Sequence, residues 1–580
     1  MAQIFCYNCG TKLDSESRFC AECGVSICEE QGSRAGGAAT AKSVETACGM
    51  IFTNTKHLAQ KFGVERATII TLLQRYIAQL KGGVVEYSLL DASDYTFKNP
   101  SRNGVHFDAT SYRYDFESYI AVVSDAYHYG YAEKKPTFLF IIGDMQTIPM
   151  CKIANYLYTP VNGFSDSDVD SDLPYSFLTQ GCSVELMSSF GIILRPYLLH
   201  VGRLPFGVDS SFEALERYLQ RNIDMATSKR GIAISQSYAQ IDPHWAYEAS
   251  EVATVLNKNG LLSPKVSDSD YTYNKIYTTP SVVLGNVDSY FNVSADLLYF
   301  NMHGSAAPHA PFFFGEGLDE KNEGGAGISP AQLTYLKGDN VVVTEACYGA
   351  RFDGLKVSQS MLISALSAKT LVYMGSSRIA LAASIDSPED SAYISCADVI
   401  AKLFMEELMR GNLAGVAFTN ARRGYLERLN GQIGSNDKLT LAEFNLFGDP
   451  TVMIYSEAKG RGAVKPAEDV GSLADDSVRV GAQTAEESIY VSQDTGSLLS
   501  FIRQSVDRNI AEVRDAINSY MYGKYGLDKS SLKSISRERS ADGRQSSLKF
   551  LYSTKSSQFE RVYITSTSED GKIKSVIISK

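Results

Sequence analysis

The sequence predicts the α/β class, with a mainly parallel sheet that helices cover on both faces. Short apolar runs recur along the chain, and stretches with helical periodicity lie between most of them. Strands that read as continuous apolar runs are buried on both faces, which is typical of parallel sheets. The 580 residues, 44% of them hydrophobic, supply a core but exceed one ordinary domain, so we expect several units.

Residues 1–27 are predicted to form a zinc ribbon. Two Cys-x-x-Cys pairs, each followed by Gly, are separated by ten residues: Cys6 with Cys9, and Cys20 with Cys23. Four thiolates in this arrangement suit tetrahedral structural Zn²⁺, and the metal would supply folding energy that so short a segment lacks. Such a closed site is not catalytic. We expect it to dock a protein; a passive cap, nucleic-acid docking and redox cysteine pairs are the alternatives.

Residues 28–43 read as a Gly-, Ala- and Ser-rich linker, and residues 44–230 as an α/β subdomain. Its apolar residues from Ile69 to Leu80 repeat with helical spacing, which predicts a helix. A strand at 84–90 follows, then a helix over 116–127 and the fully apolar strand Phe138–Ile142.

Residues 231–456 are predicted to form a second α/β subdomain. Apolar runs predict strands at 232–234, 297–300, 341–343 and 371–373. Ligand sites in such sheets lie at the carboxyl ends of the strands, so the chemistry should be sought there.

The C-terminal part is predicted to be a separate α+β domain. Residues 457–487 read as a second linker, and residues 488–580 as a small domain with a helix over 498–522 and strands over 548–580. A turn signal at 569–571 between two apolar runs predicts a hairpin. No chemistry is evident in this domain.

Composition and charge exclude several classes of function. No run of about 18 apolar residues is present, so no membrane helix is expected. The N-terminus lacks the basic start and long apolar segment of a secretory signal. The ten cysteines do not form a disulfide framework, so a cytoplasmic location is expected. The net charge of −11 argues against a broad nucleic-acid-binding surface.

One histidine and one cysteine each stand just past the end of an apolar strand. His303-Gly304 follows one run, and Cys347 follows the next. A thiol becomes a strong nucleophile when a neighbouring imidazole takes its proton. The backbone amides of Gly304 and Cys347 are candidates for an oxyanion hole. Taken singly, however, a cysteine after a strand is usually a small buried hydrophobic residue.

These strand ends resemble those of caspase-like cysteine peptidases, and further motifs match the gingipain family in order over roughly residues 50–455. The resemblance implies a caspase-like α/β sandwich after the first subdomain and a cysteine endopeptidase acting on protein or peptide substrates, with His303 and Cys347 as catalytic pair. A degenerate member that binds without cutting is the alternative. The further motifs are residues 138–144 (FLFIIGD) with Ile148-Pro149, 171–175 (SDLPY), 201–205 (VGRLP) and 444–451 (FNLFGDPT).

The resemblance also implies cleavage after Arg or Lys, with an Asp at the floor of the pocket. The matching position falls near Trp245, which would instead wall an apolar pocket. Asp242, Asp353 and Asp386 are the candidate acids. Self-cleavage in the linkers is expected at basic residues such as Arg34, Lys459 and Arg461.

Three further candidates have lesser roles. The family places an acidic residue near the catalytic His, in the loop after an earlier strand, but residues 235–242 carry none early on, so no third catalytic member is predicted. Glu345 is expected to be structural or to orient the site. His309 is expected in a loop without catalytic duty.

A Ser-Asp repeat is the remaining metal candidate. The alternating carboxylates at 166, 168, 170 and 172 would suit Ca²⁺, but a solvated acidic loop is favoured because the EF-hand pattern is absent.

Overall fold

The structure is a computed structural model, and it describes most of the chain between residues 46 and 456. Beyond that span it describes six strands. The described residues are 4–5, 12–13, 46–112, 115–131, 134–155, 167–178, 197–228, 231–258, 276–279, 281–316, 325–381, 394–429, 433–456, 532–539, 545–553, 561–569 and 572–579.

Strands and helices alternate through most of this region, as predicted. The strands are β1 Ile4–Phe5, β2 Lys12–Leu13, β3 Ala47–Thr53, β4 Val85–Asp91, β5 Phe138–Ile142, β6 Cys151–Ala154, β7 Asp168–Ser171, β8 His200–Leu204, β9 Ile232–Ile234, β10 Ser237–Ile241, β11 Ile276–Thr278, β12 Leu297–Asn301, β13 Phe313–Gly315, β14 Gly325–Ile328, β15 Asn340–Thr344, β16 Thr370–Ser376, β17 Phe444–Gly448, β18 Ile454–Ser456, β19 Leu532–Arg539, β20 Gln545–Ser553, β21 Arg561–Glu569 and β22 Lys572–Ser579. The α-helices are α1 Thr55–Phe62, α2 Arg66–Leu80, α3 Phe116–Asp125, α4 Phe212–Thr227, α5 Ala246–Lys258, α6 Pro330–Leu333, α7 Met361–Ala368, α8 Cys396–Met409, α9 Ala414–Arg428 and α10 Ser435–Glu443.

One ten-stranded sheet organises this region. Its strand order is β11-β10-β12-β15-β16-β17-β8-β5-β3-β4. Every neighbouring pair is parallel except β16 and β17, which are antiparallel. The sheet is therefore two parallel halves joined at one antiparallel seam. The predicted class is confirmed as mixed α/β with a large, mostly parallel sheet.

The core lies on both faces of this sheet. All five residues of β5 are buried, and they alternate between two hydrophobic clusters. Phe138, Phe140 and Ile142 belong to one cluster, and Leu139 and Ile141 to the other. Successive strand side chains point to opposite faces, so each cluster covers one face, which explains the continuous apolar runs.

The helix predicted from residue 69 to residue 80 is confirmed as α2. Its buried residues are Ile69, Leu72, Leu73, Tyr76 and Leu80. They repeat at three- and four-residue intervals, so one face of the helix packs into the core.

One strand prediction needs correction in its placement. Residues 232–234 do form a strand, β9, but it pairs with β18 outside the main sheet. The strand of the main sheet is β10, Ser237–Ile241, which the sequence predicted as loop. Ser237 and Gln240 make the sequence of β10 look polar, yet both residues are buried. The buried amide of Gln240 is satisfied by hydrogen bonds to Tyr238, Thr279 and the carbonyl of Val282.

The chain divides into two compact units, residues 1–46 with 465–481, and residues 47–464 with 482–580. In the first, β1 and β2 form an antiparallel pair; the predicted zinc ligands Cys6, Cys9, Cys20 and Cys23 lie outside the described residues. In the second, β19 to β22 form an antiparallel sheet, with Glu569 opposite Lys572 as the predicted hairpin requires. The predicted helix at 498–522 lies outside the described residues. Within the described part of the chain, no helix is long and apolar enough to cross a bilayer.

Candidate active site

The register of two neighbouring strands brings His303 and Cys347 level with each other. Strands β12 and β15 are parallel, and Phe300 lies opposite Thr344. His303 and Cys347 each lie three residues beyond this pair. Paired strands are about 4.8 Å apart. The predicted juxtaposition of the two strand ends is therefore observed.

Gly304 allows the two strand ends to touch. A Cβ at this position would lie 1.7 Å from the carbonyl oxygen of Cys347 and 3.2 Å from its nitrogen. No larger residue fits without moving the backbone. Among the described residues, the Gly304 N–H has no hydrogen-bond acceptor. It is therefore available to a substrate oxygen beside Cys347.

Asp242 lies beside the imidazole of His303. It directly follows β10, where Ile241 pairs with Asn301 of β12, and its N–H donates to the Asn301 carbonyl over 2.8 Å. The carboxylate is fully buried. Its Oδ2 lies 3.6 Å from His303 Nε2 and accepts the Glu316 N–H over 2.7 Å. Asp242, predicted as a substrate-pocket acid, therefore lies against the imidazole of His303.

Two aromatic rings hold the imidazole of His303. The Trp245 ring centroid lies 4.3 Å away, and the Phe314 ring stacks on it at 5.0 Å and 17°. The backbones of His303 and Phe314 also exchange two hydrogen bonds of 2.9 and 3.0 Å. Trp245 was predicted to wall a pocket, and like Phe314 it packs on the imidazole. The imidazole ring therefore has little freedom to turn.

The Cys347 thiol is covered by the segment that follows β16. Its Sγ accepts the N–H of Ala380 over 3.3 Å, and the Tyr348 N–H donates to the carbonyl of Arg378. Tyr348 has a φ of 55°, a left-handed conformation uncommon for a side chain of its size. Burial raises the pKa of the Cys347 thiol to about 11, although the Ala380 hydrogen bond opposes that rise. The sulfur is therefore protonated at neutral pH in this conformation.

A buried network of acids lies behind the two strand ends. Tyr299 donates to Glu345 over 2.7 Å, and Asn301 donates to Glu345 and Asp398 over 3.1 and 3.3 Å. Burial, and then the neighbouring Asp398, raise the pKa of Glu345 well above its usual value. The network links β12, β15 and the first turn of α8, so Glu345 lies in the core, as a structural role requires.

The other predicted residues are spread around this centre. Asp353 and His309 are exposed on loops, and Asp386 lies outside the described residues. The described carboxylates of the Ser-Asp repeat each face a different cation. Asp168 lies 3.5 Å from Lys152, Asp170 2.6 Å from Arg378 and Asp172 2.6 Å from Arg203.

The repeat is therefore not a solvated loop, since Asp170 and Asp172 are buried. Nor do its described carboxylates gather at one point. In the described part of the chain, no group of three or more His, Cys, Asp or Glu could hold a metal ion.

Sequence reasoning missed two contacts of this site. Phe314 stacks on His303 from a strand that follows it by ten residues, and only its aromatic character signals such a role. The Ala380 contact with the sulfur is made by backbone, so no side-chain pattern announces it.

Comparison with known proteins gives a family match. The model of peptidase family C25 matches residues 107–455, more than half of the 580 residues. No curated protein matches the chain.

Solved structures give distant likenesses. The Arg-specific cysteine proteinase gingipain R is 12% identical, with a TM-score of 0.44 over 93% of this chain and 92% of that one. A structure described only as a protease is 14% identical, with a TM-score of 0.42 over 92% and 91%. Separase of Saccharomyces cerevisiae, solved with securin, is 9% identical, with a TM-score of 0.26 over 46% and 15%.

Proposed function

Because the chain belongs to peptidase family C25, we propose that it is a cysteine endopeptidase in which Cys347 is the nucleophile and His303 the general base and acid. The observation that carries the proposal is the register of β12 and β15, which puts both residues three positions beyond the same strand pair. A buried carboxylate beside the imidazole, from Asp242, supports the same reading.

The proposed reaction passes through a thioester. His303 takes the thiol proton, and the sulfur attacks the scissile carbonyl carbon. The N–H groups of Gly304 and Cys347 stabilise the oxyanion, and His303 then gives its proton to the leaving amine. Water hydrolyses the thioester with His303 as base. Asp242 is a positioning residue that fixes the imidazole and stabilises its charged form.

Cleavage after Arg or Lys is proposed from the family resemblance alone. Asp242 is already engaged with His303 and with the Glu316 N–H. Asp353 and Asp386 are therefore the remaining candidates for an acid that receives the basic side chain, and Trp245 for a wall of the pocket.

A binding or scaffold module on a peptidase fold is the second candidate function. The observation that favours it is the covered sulfur of Cys347, which accepts the Ala380 N–H and has a raised pKa. Under the first proposal, the Arg378–Ala380 segment moves aside when substrate binds. Under the second, no peptide is turned over.

A fluorogenic peptide library that varies the residue before the scissile bond decides between the two. The wild-type protein is expected to cut peptides with Arg or Lys at that position, and to react with a peptidyl thiol-directed probe. Cys347→Ala should abolish both while the protein stays folded. Cleavage that persists in this variant would refute the assignment, and an inert wild type would favour the scaffold.

We also propose that residues 1–27 bind one structural Zn²⁺ through Cys6, Cys9, Cys20 and Cys23, and that this ribbon docks a protein partner. Four thiolates at this spacing support the proposal. Metal analysis should find about one zinc per chain, lost in a Cys6→Ser/Cys9→Ser variant. We propose a cytoplasmic location on sequence grounds only. Self-cleavage after Arg34, Lys459 or Arg461 is also proposed from the sequence alone, and N-terminal sequencing of the protein after incubation tests it.

A further inference from the structure

We propose that Arg351 forms a subsite beside Cys347 that selects an acidic side chain just after the scissile bond, an inference that rests on the proposed peptidase function. A small, partly open cleft adjoins the nucleophile. Two segments build it, one that follows His303 and one that follows Cys347. Its lining includes Ser305, Pro311, Phe312, Cys347, Tyr348 and Arg351.

The guanidinium of Arg351 has unused hydrogen-bonding capacity. One terminal nitrogen donates to the carbonyl of Ala306. Its Nε is buried and has no hydrogen-bond partner, and within the described residues no carboxylate lies in ion-pair distance of this side chain. Arg203 and Arg378, by contrast, each face an aspartate at 2.6 Å. A buried donor without an acceptor is unfavourable, so a ligand that supplies one is favoured.

A carboxylate is the ligand that this group fits best. Its two oxygens accept from Nε and the second terminal nitrogen of an arginine at once, in a planar, charge-assisted pair. A neutral amide of the same shape offers one oxygen and places an NH₂ against the guanidinium. The subsite therefore distinguishes Glu from Gln by charge and not by size.

The position of the cleft assigns it to the leaving-group side. His303 must reach the nitrogen of the leaving amine, and residues 305–308 and 311–313, which line the cleft, follow His303 closely in the chain. Trp245 and Asp242 also lie against the imidazole, and neither lines the cleft. A substrate chain that leaves Cys347 past His303 therefore runs over this cleft, which Arg351 lines from the segment after Cys347.

Internally quenched peptides that carry Glu, Gln or Lys at the first or second position after the scissile bond test the subsite. We expect wild-type kcat/KM to favour Glu over Gln by about tenfold, the equivalent of 1.4 kcal/mol. Arg351→Gln should bring that ratio close to one, and Arg351→Glu should invert it in favour of Lys. Lys356→Gln, a neighbouring exposed cation, is the matched control and should keep the wild-type ratio.

Ratios between substrates cancel any general loss of activity or folding in a variant. Cleavage without a preference for Glu, or a preference that survives in Arg351→Gln, would overturn the subsite and leave the peptidase intact. If no peptide is cut, the proposed function fails instead. In that case the Cys347→Ala protein is titrated with the dipeptides Glu-Ala and Gln-Ala, and NMR measures the affinity of each without any need for cleavage. Equal affinities for the two dipeptides would refute the role of Arg351.

Discussion

At the scale of single residues, the surroundings of His303 determine what its imidazole can do. Asp242 is fully buried at 3.6 Å from Nε2, whereas Glu316 lies at 3.8 Å from the same atom with 60% of its side chain exposed. An ion pair with an exposed partner is screened by water, so the buried carboxylate dominates. The two acids at similar distances form a natural comparison.

Under the proposed mechanism, Asp242→Asn is expected to lower kcat/KM by about 10²–10⁴-fold, because the imidazolium that would form during attack loses its buried counter-charge. Steady-state kinetics on the best peptide of the library measures this. Glu316→Gln, the control, should change kcat/KM by about twofold or less. Equal effects of the two substitutions would contradict the positioning role of Asp242.

The covered thiol makes a second prediction, about alkylation. With the Cys347 pKa raised to about 11, the thiolate fraction grows about tenfold per pH unit below that value. The rate at which iodoacetamide labels Cys347 is the wild-type rate minus the rate measured with the Cys347→Ala variant. This rate should therefore still rise between about pH 8 and 10. A plateau reached below about pH 8 would mean that the sulfur is already ionised at rest.

At the scale of elements, the four motifs outside the strand ends of His303 and Cys347 are explained by buried polar side chains that hold the fold together, each a hub of several hydrogen bonds. Arg203 donates two hydrogen bonds to Asp172 and two more to the carbonyls of Gly143 and Ile148. One side chain thus joins three of the motifs. The fourth motif, residues 444–451, is held by a second hub, because Asp449 accepts hydrogen bonds from the hydroxyl groups of Tyr76 and Tyr87.

Arg203→Met should destabilise the protein by about 3–5 kcal/mol, since it leaves the buried Asp172 without its partner. Urea unfolding measures the change in the free energy of unfolding. Arg75→Met removes an exposed pair with Glu216 and should cost less than about 1 kcal/mol. A loss in Arg203→Met no larger than in this control would show that the hub does not stabilise the fold.

The acid network behind the strand ends predicts a pH dependence. A carboxyl whose pKa is raised in the folded state contributes stability at low pH, which is lost as pH rises from its usual value of 4.5 towards the folded value. Glu345→Gln removes that loss. The free energy of unfolding of Glu345→Gln minus that of the wild type should therefore be larger, meaning a relatively more stable variant, at pH 8 than at pH 5.

Urea unfolding at both pH values tests this, with Glu216→Gln, on an exposed carboxyl, as the control. A constant difference across pH would contradict the assignment of the raised pKa to Glu345.

The sequence pattern reveals apolar strands and hides strands that carry buried polar residues. Apolar runs placed β5, β12, β15 and β16 because buried parallel strands leave an unmistakable pattern. They failed at β10, whose buried polar residues are satisfied by partners distant in sequence, such as Thr279. That failure hid Asp242, which looked like the end of a loop and is the first residue after a strand. Likewise, nothing local reveals that a backbone N–H from residue 380 reaches the sulfur.

At the scale of the whole molecule, the ten-stranded sheet and both hydrophobic clusters draw on residues 47–454, among the residues whose burial the structure describes. The predicted subdomains 44–230 and 231–456 both contribute strands to that single sheet.

We therefore expect a fragment of residues 46–456 to fold on its own, because a domain with its own core needs no outside contacts. Circular dichroism should show α/β content and one cooperative thermal transition. The full-length chain is the reference. A fragment that lacks a transition would mean that the flanking segments are needed for folding.

The antiparallel seam has a consequence for biosynthesis. Strand β17, at residues 444–448, is the central strand that touches both β16 and β8. A ribosome releases β3, β4, β5 and β8 first, and β10 to β16 long before β17 emerges. Until then the nascent chain holds two half-sheets with unpaired central edges, which are prone to wrong pairings. The last strand of this sheet to be synthesised thus closes the middle of the sheet, and the two halves stay separate until it emerges.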